Sequence, residues 1–298
     1  MEWFANMPLP WVIVIVIFLF LIRFILKPTP REERILPAGI LSAVGGVRVA
    51  LGRMMKEKWS TTIAETAESL GLAFALVFLI IRPFIVQAYF IPSESMEPTL
   101  LAATPSRSGD HLLANKAICR LRAPRHREIV VFKAPPALEA EEGKKDFIKR
   151  VIGTPGDTIE VRQGLVSING TEYNHDQMRS ELGDYDHRIK FFPNCLLVGD
   201  KKLSKKDLAE RFYDSDAHIV IRPGVVIRNG KPLNEPYTNE DPDYDYPLVK
   251  VPRDNFFVMG DNRNNSKDSH WWGFLPRKYV QGKAMFVFWP VTRIGLIR

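Results

Sequence analysis

Asp146 to Arg162 reads DFIKRVIGTPGDTIEVR, two β-branched runs, Phe147 to Ile152 and Thr158 to Arg162, parted by a Gly/Pro/Asp turn. Runs of this length bounded by turn residues are read as strands. Outward from this stretch the pattern repeats at Ile85 to Ile91, His111 to Lys116, Glu128 to Lys133, Ala217 to Arg222, Asn255 to Met259 and Ala284 to Trp289. The chain past residue 86 is therefore expected to be mainly β. Asn169-Gly170 and Asn229-Gly230 each follow an alternating run, and both positions of such a pair tolerate the positive φ of a tight hairpin. Between Thr171 and Arg222 the composition turns polar, and Ser204 caps an expected short helix over Lys205 to Phe212. These features divide the chain into a membrane anchor (1–86), a β core (87–162 and 250–298) and a smaller inserted β-rich subdomain (163–249). Asn234 to Tyr246, NEPYTNEDPDYDY, lacks the spacing of a calcium loop and is read as solvated.

The anchor rests on two apolar stretches. Leu9 to Leu26 carries Arg23 as its only charge and matches the roughly 17 to 25 residues that a bilayer crossing needs. No basic segment precedes it and no small-residue cleavage site follows, so a stable span is expected rather than a cleaved leader. Leu70 to Ile81 reaches spanning length only with its flanks, giving a second expected span over about 66–84. The intervening loop, 27–65, is rich in Lys and Arg, including Lys27, Arg31, Arg34, Arg48, Arg53, Lys56 and Lys58. The positive-inside rule places it in the cytoplasm and everything after Phe84 on the outer face.

The 298 residues carry a formal net charge of +7 and 46% hydrophobic residues, enough for an anchor and one sizeable core. Basicity of this kind suits an anionic lipid surface. The positive residues are scattered among Asp and Glu without a basic-aromatic array, so no nucleic-acid partner is expected. Cys119 and Cys195 permit one disulfide but do not demand it, and no metal-ligand spacing is present.

For chemistry, Ile91 to Leu100, IPSESMEPTL, offers Ser95, a hydroxyl that needs a neighbouring base before it can attack. Lys149 sits in an apolar strand where Phe147, Lys149 and Val151 share a face. Burial of that face would lower the lysine pKa from about 10.4 towards neutrality and make it a usable base. The dense polar loop Gly260 to His270, GDNRNNSKDSH, supplies Asp268 and His270, which would instead complete a Ser-His-Asp triad with Ser95. The residues alone leave both mechanisms open.

Four blocks in order make the chain resemble bacterial type I signal peptidases: Ser93 to Leu100, Gly109 to Lys116, Lys149 to Asp157, and Gly260 to His270. The resemblance also covers the two-span anchor and Val251 to Met259, about half the chain, and leaves the 171–222 insert unmatched. It implies Ser95 as nucleophile and Lys149 as general base, with no histidine taking part. Ser93 and the backbone N–H of Ser95 would hold the oxyanion. Ser266 would hydrogen-bond and orient the lysine, while Asp261, Arg263, Asp268 and His270 would brace the site. Arginine is common in the family at the place of His270, so an Asp268–His270 contact is expected instead of an ion pair to arginine. Tyr89, Ile91, Pro92, Met96, Phe147 and Ile148 would line a shallow apolar cleft for small substrate side chains, the substrate adding as an extended strand.

By the same resemblance the implied function is removal of N-terminal signal peptides from exported preproteins after Ala-x-Ala-like sites, without metal or cofactor. It would act at the bacterial cytoplasmic membrane, with the catalytic domain on the outer face and the secretion translocon as a further partner. The rivals are a processing peptidase restricted to one pilin-type substrate, a repressor-like self-cleaving protein, and an inactive domain binding the export machinery.

Overall fold

The computed structural model describes residues 9–26, 57–185 and 187–297, in two compact units, Met1–Gln87 and Ala88–Arg298. Residues 27–56 of the expected basic loop fall outside the described residues.

In the first unit, helix α1 (Leu9–Leu26) packs on α2 (Glu57–Ala75), which runs on as a π-helical stretch, Leu76–Ile85. Gly71 permits the approach: a Cβ there would lie 3.2 Å from the Phe20 ring. Arg23 donates from Nε to Glu68 Oε2 at 3.4 Å, so the one charge of α1 has a partner. Among the described residues Thr62–Leu79 is long and apolar enough to cross a membrane, and Pro10–Arg23 is a shorter apolar helix. The apolar window begins at Thr62, before the expected 66, and helix α2 starts earlier still, at Glu57.

The chain from Val86 onward is built from short strands, the first of which begins at the end of the first unit. Four early ones, β1 (Val86–Phe90), β2 (His111–Asn115), β3 (Ile129–Lys133) and β4 (Asp146–Gly153), belong to one large sheet. Then come β5 (Thr158–Arg162), β6 (Leu165–Ile168), β7 (Thr171–Tyr173), β8 (Ile189–Phe192), β9 (Cys195–Val198), β10 (Lys201–Ser204), β11 (Ile219–Arg222), β12 (Val225–Arg228), β13 (Lys231–Pro232) and β14 (Tyr246–Lys250). The chain returns to the large sheet with β15 (Asn255–Met259), β16 (Leu275–Pro276), β17 (Val280–Trp289) and β18 (Gly295–Leu296). That eight-stranded sheet has the order β1-β2-β17-β3-β4-β15-β16, with β18 on β17.

Both faces of its centre are covered, which explains the unbroken apolar run of β3. Ile129 and Val131 join one core with Ile91, Met96, Leu100 and Ile148, whereas Val130 and Phe132 join another with Val151, Phe256 and Val258. Strands buried on two faces lose the alternation of a half-exposed sheet.

The inserted region forms its own core, with Val166, Met178, Phe191, Leu196 and Leu208 fully or nearly buried. Around it lie the sheets β10-β9-β8 and β11-β6-β7. Asn169 and Gly170 (φ 51° and 87°) and Asn229 and Gly230 (φ 53° and 74°) close the β6–β7 and β12–β13 hairpins in the left-handed region. Ser204 and Asp207 cap the helix Lys205–Arg211 reciprocally, as the sequence pattern requires. The β8–β10 meander gives little signal in the sequence because its strands are only four residues long, Lys190, Lys201 and Lys202 break the apolar pattern, and inward and outward residues alternate in β8 but not in β9 or β10. Strand β5 pairs with β12 and β14, not with the large sheet, so a division at residue 162 separates it from both partners. Cys119 and Cys195 are unpaired thiols.

Candidate active site

Ser95 sits in a single 3-10 turn, Glu94–Met96, pinned from below by the fully buried Met96 and Leu100. The turn is tied to the polar loop 260–270 through main-chain atoms. Asn262 N–H donates to Ser95 O at 3.1 Å, and the Asn262 amide donates to Glu94 O at 3.2 Å. Gly260 makes this closeness available, since a Cβ there would stand 2.4 Å from Ser95 O and 2.3 Å from Ser266 Oγ.

Lys149 lies on β4 between β3 and β15, opposite Val130. Its residue is 3% exposed, and Nζ donates to Ser95 Oγ at 2.6 Å. Burial pushes the amine down to about 8, against the opposing pull of Asp268 and Asp261. A lysine in this state holds its proton loosely enough to surrender it near neutral pH. Ser93 Oγ is 3.3 Å from Ser95 Oγ, so three polar atoms converge at one place.

The loop behind them is locked by buried charge. Asp261 takes two hydrogen bonds from Arg150, Nε to Oδ1 at 2.8 Å and Nη2 to Oδ2 at 2.7 Å, and a third from Thr99 Oγ1 at 2.5 Å. Arg263 donates from Nε to Gly260 O at 3.1 Å and grips Glu235 with two bonds of 2.6 and 2.7 Å. Asp268 accepts from Gly260 N–H at 2.8 Å and from His270 Nδ1 at 2.6 Å. The His270 ring stacks on Tyr244, centroids 4.2 Å apart. Buried ion pairs and hydrogen bonds of this density hold a constellation still.

A hydroxyl bonded to a buried amine, beside a second hydroxyl, is equipped for acyl transfer at a carbonyl. Comparison with known proteins points the same way. The family model described as "Signal peptidase, peptidase S26" matches residues 63–210 and 217–289. The chain belongs to this signal peptidase family. Among relatives, signal peptidase I of Leptolyngbya laminosa is 33% identical, over 80% of this chain and 85% of its own. Signal peptidase I of Aquifex aeolicus is 36% identical, over 72% and 80% respectively. A Synechocystis sp. protein named "Probable signal peptidase I-2" is 37% identical, over 73% and 69%. As a member of the peptidase S26 family the chain is a serine peptidase, a hydrolase.

Two hollows meet at Ser93, Glu142, Phe147 and Lys149. The smaller, about 210 Å³, is lined by Tyr89, Ile91, Pro92, Phe147 and Ile148, five of the six expected cleft residues. Met96 lines neither hollow: it is fully buried and packs against Ile91 and Leu100, because its position in the turn directs it into the core. The larger hollow, about 720 Å³, takes in Ser95, Ser266 and His270.

Ser266 departs from expectation. Its Oγ is buried without a hydrogen-bond partner, so it forms no bond to Lys149; the amine's hydrogen bond goes to Ser95 instead. His270 makes the expected contact with Asp268, and its stacking on Tyr244 holds it there, bonded to Asp268 and not to Ser95. Sequence reasoning missed Arg150, Thr99, Glu235, Tyr237 and Tyr244. Arg150 adjoins Lys149 and so points to the other strand face, but its partners Asp261 and Tyr237, the latter ring 3.9 Å away, are far along the chain and give no local signal. Among the described residues no group of three or more His, Cys, Asp or Glu is placed to hold a metal ion.

Proposed function

We propose that this chain is a membrane-bound endopeptidase that removes N-terminal signal peptides from exported preproteins through Ser95 and Lys149. The reading is carried by one observation: a 3% exposed lysine, lowered to about 8, with Nζ 2.6 Å from a serine Oγ.

In its neutral form Lys149 Nζ accepts the Ser95 hydroxyl proton as Oγ attacks the scissile carbonyl. The oxyanion that forms is held by the Ser93 hydroxyl and the Ser95 backbone N–H, donors worth roughly 3 to 4 kcal/mol each in comparable sites. The Lys149 ammonium then passes its proton to the leaving amine, whose C–N bond breaks and leaves an ester on Ser95. Water enters, gives its proton to Lys149 and adds to the ester; collapse returns the proton to Ser95 Oγ and frees the acid. Asp261, Arg263, Asp268 and His270 act by position, keeping Gly260 and Asn262 against the Ser95 turn.

The apolar hollow of about 210 Å³ beside Ser93 favours small side chains before the cut, in keeping with Ala-x-Ala-like sites. The apolar helices Pro10–Arg23 and Thr62–Leu79, with the Lys/Arg-rich segment between them, support a two-span anchor in the cytoplasmic membrane. Anionic lipids and the secretion translocon are the partners this placement brings.

The test is cleavage of several unrelated preproteins by the purified chain, with Ser95→Ala and Lys149→Ala as controls. Cutting of a single precursor would favour a substrate-restricted processing peptidase, and retained cutting in either control would overturn the dyad.

A further inference from the structure

A peptide crossing Ser95 must place chain on both sides of the scissile bond, and only one side is accounted for by the apolar hollow. The larger hollow shares Ser93, Glu142, Phe147 and Lys149 with it and extends over the polar loop, where Arg263 to Lys267 and His270 line it. Its far wall is aromatic. Trp271, 73% exposed, stands beside His270 at 5.9 Å, and His270 in turn stacks on Tyr244. An exposed indole offers a flat aromatic face, and such faces bind extended peptide at low entropic cost.

The charges of this hollow are uneven. Lys267 is held by Glu142 at 2.8 Å, and Arg263 by Glu235 at 2.6 Å. Glu94 and Asp243, which also line it, are in no ion pair among the described residues. With Lys149, which also lines this hollow, in its neutral working form, the surplus is negative.

We propose that the larger hollow is a specificity site for the first residues after the cut, with Trp271 as their platform and Glu94 and Asp243 selecting against acidic side chains. Asp243 and Tyr244 come from the loop 234–246, so that loop takes part in substrate choice and is not merely solvated. The assignment rests on the Ser95/Lys149 reading, which fixes where the bond is cut.

The experiment uses the full-length chain in detergent and substrates with one common acyl segment ending in Ala-x-Ala. One is the methyl ester, whose leaving group is methanol; the others extend four residues past the cut, with Lys or Asp at the second of these. Trp271→Ala is expected to lower kcat/KM roughly five- to tenfold on the extended peptides, the size of one lost aromatic contact, and to leave the ester unchanged. Wild type should prefer the Lys peptide to the Asp peptide, and the paired change Glu94→Gln with Asp243→Asn should erase that preference. Equal effects of Trp271→Ala on ester and peptides, or no effect on either, would overturn the site. So would a wild type indifferent to Lys and Asp. If wild type cleaves none of the substrates, or Ser95→Ala cleaves them, the dyad reading fails and takes this inference with it.

Discussion

Lys149 Nζ lies 2.6 Å from Ser95 Oγ, 54 positions earlier in the chain, with its residue 3% exposed to solvent. The pH dependence of turnover follows from that burial. The amine titrates at about 8, and only its neutral form takes a proton. Below that value kcat/KM should climb close to tenfold per pH unit, and it should level off above. Asp268 and Asp261 both raise the amine's pKa, so Asp268→Asn should move the midpoint to lower pH. A rate profile measured from pH 5 to 10 checks both; a midpoint that moved upward in Asp268→Asn would contradict the electrostatic account.

The same burial costs stability. In the unfolded chain the lysine titrates near 10.5 and in the folded chain near 8, so at pH 7, below both, the fold bears a penalty of about 3 kcal/mol. Between pH 8 and 10.5 the unfolded state binds the extra proton, and stability rises with pH. Lys149→Met should therefore be more stable than wild type by about 2 to 3 kcal/mol at pH 7, while inactive. Its advantage should fade as pH approaches 10.5, as read from denaturant unfolding at several pH values.

The histidines should be dispensable for chemistry. Ser95→Ala and Lys149→Ala are expected to abolish cleavage, a loss of roughly 10⁴-fold or more, in folded protein. His111→Ala, His218→Ala and His270→Ala should keep it, with His270→Ala slowed several-fold at most because Asp268 retains its bond to Gly260 N–H. Complete inactivity of a folded His270→Ala would revive the Ser-His-Asp triad.

How much of this was legible beforehand depends on whether the signal was local. The strands Thr158–Arg162 and Asn255–Met259 and the hairpins at Asn169-Gly170 and Asn229-Gly230 were readable because turn chemistry and β-branching act within a few residues. Ser95 and Lys149 were candidates on chemistry, and the family blocks chose between lysine and histidine. The partners of the buried charges were not readable. Glu235 looked like one acid in a solvated loop, and nothing near it in sequence announces Arg263, 28 residues on. Met96 and Ser266 failed for a related reason: an ordered list of motif residues does not state which way a side chain in a turn will face.

The Glu235–Arg263 pair makes the strongest prediction about stability away from the reacting atoms. Arg263 is 1% exposed, and both of its terminal nitrogens are bonded to Glu235. Removing the carboxylate leaves a guanidinium without compensation in the interior, which costs about 3 to 5 kcal/mol, whereas replacing both partners with apolar groups of similar volume can be nearly neutral. Glu235→Ala should thus lower stability by that amount, and Glu235→Leu with Arg263→Met should recover more than half of it. Activity should separate from stability in the double variant. Arg263 Nε also holds Gly260 O at 3.1 Å, and Gly260 is where the loop touches the Ser95 turn, so the restored fold should still cleave roughly ten- to a hundredfold more slowly, as a misplacement of about 1 Å would produce. Unfolding and single-turnover cleavage measured on the same preparations distinguish the two effects; full activity in the double variant would show that Arg263 only fills space.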